Sequence, residues 1–344
     1  MACKVGIAGY GVVGKRRHDF IDQVPDLQVV GVCDRRFETE PPDVPGVEMF
    51  TSYQDLLQMD LDILLVCLTN DVAPDVTIAG LEKGLHVMCE KPPGRDLHDM
   101  ARIAAVAKAR PGQKLKYGFN HRYHHSVRLA LQLVADGELG SVVNLRGVYG
   151  KSAIVNFESD WRTKRSIAGG GILLDQGIHM VDLLRLFAGD FKEVKSFVSN
   201  DFWRHDVEDN AYALLRTEGG VVAILHSSAT QWQHRFHLEI ALEKGALVLS
   251  GILSGSKSYG KESLTISRKN VSGSGGEENT IYFEEDPSWL DEIIEFVHAV
   301  REDKPISNGS LEEATRTMQL VYRIYCADES WRDQWNLSDS YPPI

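Results

Sequence analysis

Lys4-Val5-Gly6-Ile7-Ala8-Gly9-Tyr10-Gly11-Val12-Val13-Gly14 decides how the N-terminal half of this chain reads. An apolar strand pattern runs into Gly9-x-Gly11-x-x-Gly14, and a helix-compatible stretch over residues 12–23 comes at once after it. In that setting the three glycines permit a tight turn, close approach of backbone to a pyrophosphate and close helix–strand packing. The helix start would offer free N–H groups and a positive dipole end to the phosphates. Twenty residues after Gly14, Asp34 closes the second strand pattern, where a carboxylate can accept the ribose hydroxyls of NAD.

Strand patterns recur at residues 4–8, 28–33, 62–68, 86–89 and 115–119. Helical patterns separate them at 12–23, 53–59, 74–83 and 96–109. Runs such as Ile63-Leu64-Leu65-Val66-Cys67-Leu68 suit a parallel sheet buried on both faces. The alternation predicts a doubly wound sheet over residues 1–122.

The rest of the chain, residues 123–344, has another character. A helix over 126–135 leads to a strand at 142–149, a Gly169-Gly170-Gly171 turn and a helix at 174–187. Strand patterns come next at 193–199, 211–217, 221–227, 236–242 and 246–250. Glu218-Gly219-Gly220 and Glu243-Lys244-Gly245 read as hairpin turns. The run Ser272-Gly273-Ser274-Gly275-Gly276 reads as a mobile loop tip between two further strands. Two helices, 289–301 and 311–326, close the chain and are expected to pack back toward the first domain. The second domain is therefore expected to be α+β, built on a large, mostly antiparallel sheet.

The 344 residues carry a formal charge of −12, and the absence of any basic run argues against nucleic acid. The five cysteines form no C-x-x-C pair, and three lie in apolar runs, as in a reducing cytoplasm. The start lacks a signal-peptide core, and no apolar stretch approaches the roughly 20 residues of a membrane span.

Cofactor choice turns on Asp34 and the two arginines after it. The carboxylate repels a 2′-phosphate and favours NAD. Arg35 and Arg36 keep NADP open, since either could pair with that phosphate or stack on adenine; solvated loop arginines are the plainer reading.

Two segments suggest chemistry. Glu90-Lys91-Pro92 ends the strand that begins at His86, and Lys91 then faces the cofactor crevice at the carboxyl ends of the strands. Farther on, Asp175, His179 and Asp182 would share one face of a regular helix, within an otherwise apolar segment. Such a stripe needs partners, either a substrate or a satisfied core network. The clusters His121, His124, His125 and His234, His237 match no zinc-ligand pattern, and no metal is expected.

Taken in order, the glycine loop, Glu90-Lys91-Pro92, Gly118-Phe119-Asn120 and Asp175-x-x-x-His179 after a glycine triplet resemble the glucose–fructose oxidoreductase / inositol 2-dehydrogenase (Gfo/Idh/MocA) family. The resemblance runs through nearly the whole chain. It implies an NAD(P)-dependent oxidoreductase moving hydride between nicotinamide and a secondary alcohol or ketone of a sugar, cyclitol or nucleotide-linked sugar. It implies Lys91, Asp175 and His179 as the catalytic group. Cofactor contacts would come from Gly9 to Gly14 (Tyr10, Gly11, Val12 and Val13 included), Asp34, Arg35, Thr69, Asn70, Glu90, Lys91 and Asn120. Substrate contacts would come from Lys91, Arg122, Trp161, Arg162, Asp175 and His179.

His179 is the expected proton acceptor, with Lys91 stabilising alkoxide charge; a lysine base with lowered pKa is the alternative. Asp175 would hold substrate hydroxyls or orient the histidine. The resemblance also implies a homo-oligomer, dimer or tetramer, through the C-terminal sheet. Two other functions stay open: a non-catalytic dinucleotide-binding regulator, and glycosidic cleavage through transient oxidation. The sequence departs from the family at His121, where arginine is common. It departs again after Thr69, where Asn70-Asp71-Val72-Ala73-Pro74-Asp75 lacks the early proline and later histidine of many relatives.

Overall fold

The structure is a computed structural model that describes residues 2–153, 161–254, 259–269 and 276–341. The chain divides into two compact units. One holds Met1–Asn120, Trp289–Thr315 and Tyr341–Ile344; the other holds His121–Ser288 and Arg316–Ser340.

In the first unit β1 (Cys3–Ala8), β2 (Leu27–Cys33), β3 (Glu48–Phe50), β4 (Ile63–Val66), β5 (His86–Glu90) and β6 (Leu115–Gly118) form one sheet. Their order is β3-β2-β1-β4-β5-β6, and every neighbouring pair is parallel. This is the doubly wound arrangement expected, with its reversal of strand order between β1 and β4. Ile63, Leu64, Leu65 and Val66 are all buried, as a central strand covered on both faces must be. The strand is shorter than the apolar run suggested, because Cys67 and Leu68 leave the ladder toward the loop. β3 was not anticipated. Its three residues, Glu-Met-Phe, pair with Gly31–Cys33 but are too few to show an alternation. From the later sequence, Ile293, Phe296 and Val297 join Val5, Ile7 and Met88 in this unit's core.

The second unit contains β7 (Val142–Ser152), β8 (Phe191–Ser199), β9 (Asn210–Thr217), β10 (Val222–Gln231), β11 (Arg235–Leu242), β12 (Gly245–Ser250), β13 (Glu262–Lys269) and β14 (Gly276–Phe283). They pair in the order β14-β13-β12-β11-β7-β10-β9-β8. All pairs are antiparallel except β7 with β10, which is parallel. The β11–β12 turn is Glu243-Lys244, with Gly245 already in the ladder opposite Leu242. β13 and β14 are the two strands expected around the glycine–serine run. Residues 272–275 of that run lie outside the described residues. A third closing helix, Glu329–Trp335, was also not anticipated; Asp328 caps it by accepting from the Trp331 N–H.

The segment read as one helix over 174–187 differs in a way that matters. Leu173–Gly177 is a π-helical turn, and the regular α-helix runs from Ile178 to Ala188. The wider turn sets Asp175 off the face that His179 and Asp182 would otherwise share with it. The α-helix packs on β7, where a side chain on Gly147 would strike Met180 at 2.6 Å. Among the described residues, no helix is long and apolar enough to cross a membrane.

Candidate active site

The first unit gathers the expected cofactor residues at one edge of its sheet. Gly9, Tyr10 and Gly11 follow β1, Asp34 and Arg35 follow β2, and Thr69 and Asn70 lie beyond β4. Glu90 ends β5, Lys91 comes next, and Asn120 lies just past β6. With all six strands parallel, these are carboxyl ends, where ligands of such sheets bind.

The glycine loop has the geometry of a phosphate cradle. Gly9 has φ +91°, and a side chain there would meet the Cys67 carbonyl oxygen at 2.3 Å; one on Gly14 would meet the Gly9 carbonyl oxygen at 2.0 Å. Gly11 instead faces open space, with only an Arg36 nitrogen 3.6 Å from where a Cβ would stand. Gly11 also caps the helix Val12–Ile21 without a side-chain bond, leaving its first N–H groups for a ligand. Val12 is exposed, and Tyr10 is buried with its hydroxyl 2.6 Å from His18 Nδ1. These residues fit a dinucleotide.

Asp34 is heavily subscribed. The Tyr10 N–H donates to its Oδ2 at 3.0 Å and the Arg36 N–H to its Oδ1 at 3.0 Å. The Arg36 guanidinium forks onto both oxygens at 2.9 and 2.7 Å. Burial alone would raise this carboxyl, but the bonds from Arg36 and Tyr10 hold it below the ordinary range. Arg36 is thus engaged by Asp34, whereas Arg35 is exposed.

Lys91 stands behind a buried charge network that the sequence reading missed. From the helix Val12–Ile21, Arg17 donates Nε–H to Glu90 Oε1 at 2.7 Å and Nη2–H to Glu292 Oε2 at 2.6 Å. Arg17 and Glu292 are essentially inaccessible, so the ion pairs fix the last residue of β5 and with it the root of Lys91. The Lys91–Pro92 peptide is cis. A lone arginine in an amphipathic helix carries no signal of such a role.

In the second unit the Asp175/His179/Asp182 stripe separates into different jobs. Asp182 is a core residue: Arg122 Nε donates to Oδ2 and an Arg122 Nη donates to Oδ1, both at 2.7 Å. Arg122, expected at substrate, makes this pair inside the unit. Asp175 lies 3.6 Å from Arg162 Nε, and Arg162 lies over the Trp161 ring at 4.4 Å. Asp160, beside Trp161, falls outside the described residues. Arg162 and Asp175 line a cavity with Ile172, Trp203, His205 and Val207; Trp203 and His205 stand on the β8–β9 connection and had no motif to mark them.

His179 is 4% exposed. Its ring stacks on that of His121 at 3.7 Å between centroids and 11° between planes. His121 Nε2 is 3.0 Å from the Tyr149 hydroxyl, and Phe236 meets both His121 and Tyr149 edge-on. Beyond Tyr149, the Tyr259 hydroxyl donates to Gln176 Oε1 at 2.5 Å. Burial pushes both phenols well above their ordinary value, and Asp175 adds to it.

Other chemistries find less support. Burial pushes the Cys33 thiol up to about 11 and the Cys89 thiol up to about 12, the reverse of an activated nucleophile. Among the described residues, Asp96, His98 and Asp99 are close enough to share a metal ion. Their carboxylates are already used: Asp96 accepts from the Asp99 N–H at 2.8 Å, and Asp99 pairs with Arg95.

Residues 3–119 match the profile of an oxidoreductase family with an NAD-binding Rossmann fold, and residues 127–248 match the GFO/IDH/MocA C-terminal domain. The chain belongs to the GFO/IDH/MocA oxidoreductase family. It is 29% identical to the 1,5-anhydro-D-fructose reductase of Ensifer adhaerens over 209 residues, 59% of this chain and 62% of that one, less than two thirds of the relative's length. Over 254 residues it is 28% identical to the D-glucoside 3-dehydrogenase of Escherichia coli (strain K12), covering 65% of this chain and 70% of that one. A levoglucosan dehydrogenase in complex with NADH and L-sorbose shares the fold with a TM-score of 0.82 at 19% identity, over 96% of this chain and 97% of that one.

Proposed function

We propose that the protein is an NAD(P)-dependent dehydrogenase or reductase acting on a secondary alcohol or ketone of a sugar or cyclitol. The supporting observation is Lys91: it follows β5 at the same sheet edge as the glycine loop, rooted by the buried Arg17–Glu90–Glu292 network. Relatives named as acting on a D-glucoside and on 1,5-anhydro-D-fructose point to the same substrate class.

Gly9, Gly11, Gly14, Asp34, Thr69, Asn70 and Asn120 would hold the dinucleotide, Asp34 at the adenosine ribose. Nicotinamide, when bound, supplies the hydride acceptor or donor. In the oxidising direction the role assigned to His179 is acceptor of the hydroxyl proton, and the role assigned to the Lys91 ammonium is stabiliser of alkoxide charge. Asp175 and Arg162 hold neighbouring hydroxyls. Asp34 with Arg36 favours NAD and leaves NADP admissible. The free cysteines suit the cytoplasm. The exposed apolar face of the second sheet, with Phe197 and Leu214, suits a homo-oligomer.

The test is NADH fluorescence on binding, then turnover on sugars and cyclitols by the wild type, Lys91→Ala and His179→Ala. Each variant should bind NADH and lose kcat by about 10²-fold or more, the scale of a missing acid–base group. Unchanged turnover in both would overturn the assignment. Tight NADH binding with no turnover on any substrate would favour a regulator, and cleaved glycosides among the products would favour the transient-oxidation reading.

A further inference from the structure

We propose that Glu208 is a positioning residue of the candidate active site: from the β8–β9 connection it caps the helical segment that carries Asp175 and so fixes where that carboxylate stands. A helix start leaves its first N–H groups without partners inside the helix. Here three consecutive ones go to a single residue. The Gly171 N–H donates to Glu208 Oε2 at 2.7 Å, the Ile172 N–H to the Glu208 carbonyl oxygen at 3.1 Å, and the Leu173 N–H to Glu208 Oε1 at 2.9 Å. The segment's own first bond, from the Asp175 N–H to the Gly171 carbonyl oxygen at 2.8 Å, closes directly on this seat.

Glu208 is itself held firmly. It is 2% exposed, and the Tyr325 hydroxyl donates to its Oε1 at 2.7 Å. A carboxylate there also faces the positive end of the helix dipole. The glycine triplet lets these groups come so close. A side chain on Gly171 would meet the Glu208 carbonyl oxygen at 2.0 Å, and one on Gly170 would meet the Tyr325 hydroxyl at 2.3 Å. The triplet therefore serves as the seat of the Glu208 cap.

The neighbouring carboxylate holds the opposite wall. Asp209 Oδ2 accepts from the Phe202 and Trp203 N–H groups, both at 2.9 Å. Asp175 and Trp203 line one cavity, and Glu208 and Asp209 line it too. Glu208 thus places the wall that bears Asp175, and Asp209 the wall that bears Trp203. That Asp175 meets substrate rests on the function proposed above; that Glu208 places Asp175 does not.

Hydrogen exchange of the full chain, read by mass spectrometry, tests the cap without substrate. In Glu208→Gln one carboxylate oxygen becomes an NH₂ group, so at least one N–H of the segment meets a donor. Peptides covering residues 169–177 should exchange about tenfold faster or more, as for a lost bond to a charged group, while those of the glycine loop should not change. Glu208→Asp keeps the charge but draws the carboxylate back by one methylene; it should give the same local pattern and carries the test if Glu208→Gln does not fold. Exchange that is unchanged over 169–177, or that rises equally throughout the chain, would overturn the proposal. On any sugar or cyclitol that the wild type turns over, Glu208→Gln should lower kcat/KM about tenfold or more and leave the Kd for NADH unchanged. In an Asp175→Asn background the same change should cost little further, because the two residues act as one. Losses that multiply in the double variant would also overturn it. Faster local exchange together with full turnover by Asp175→Asn would sink the reading of Asp175 as a substrate contact while upholding Glu208 as the residue that places it.

Discussion

Arg122 and Asp182 are joined by two parallel hydrogen bonds of 2.7 Å, with side chains only 4% and 2% exposed. The Thr317 hydroxyl adds a third bond to Asp182 Oδ1 at 3.1 Å. Removing one member strands the other as a buried charge. Asp182→Asn or Arg122→Met should cost about 3–5 kcal/mol in urea denaturation, while the paired apolar replacement Arg122→Met/Asp182→Leu should cost less than either single change. Additive losses would show that the two residues do not form a unit.

The Asp34–Arg36 fork makes opposite predictions for the two coenzymes. Asp34→Ala should weaken NADH about tenfold or more and NADPH less, in line with bonds to a charged group. Arg36→Ala should weaken NADPH the more and free Asp34 for the ribose hydroxyls of NADH. Fluorescence titrations give the four Kd values; equal losses for both coenzymes would take these side chains off the ribose.

Glu262 links stability to acid. Burial would raise its carboxyl, yet His124 at 2.8 Å and the Ser126 N–H at 2.9 Å hold it below the ordinary range. A folded pKa below the unfolded one, about 4.3, gives stability that is fully present above that value. It is lost as pH falls through the lower folded pKa. The wild type should therefore exceed Glu262→Gln by about 2 kcal/mol at pH 6, and the gap should shrink toward pH 3.5. Urea midpoints at both pH values decide it; a constant gap would refute the linkage.

The outer face of β8, β9 and β10 carries Phe197 at 78%, Tyr212 at 46%, Leu214 at 50% and Ile224 at 45% exposure. Phe197 lies opposite Tyr212, and Leu214 opposite Ile224, so the patch is continuous. A patch of that kind suits the association between copies proposed above. Phe197→Asp with Leu214→Asp should turn an oligomer into a monomer in sedimentation without loss of helical signal. A monomeric wild type would remove the basis for this surface.

Much of the first unit was legible in the sequence, because its glycines answer to hard contacts and its central strands are apolar from end to end. Lys91 was legible because Pro92 and the apolar run before it mark a strand end. The misses have physical causes. β3 is too short for periodicity, and one wide turn at residues 173–177 leaves the apolar pattern of its helix almost unchanged. The pairing of Arg122 with Asp182 was not legible, because a motif names a residue type and says nothing of an aspartate sixty residues on. Likewise the Arg17–Glu90–Glu292 network and the His121 stack join residues far apart in the chain, which only folding reveals.

The wide turn at Leu173–Gly177 holds one residue more than a regular helix needs. Deleting a residue there would let the helix run straight, yet it would swing everything before the cut by about 100° relative to everything after it. Asp175 and Arg162 would be carried around while His179 stayed seated on β7's side. On the function proposed above, a shortened relative would keep its dinucleotide and its imidazole while presenting a differently arranged cavity to its substrate.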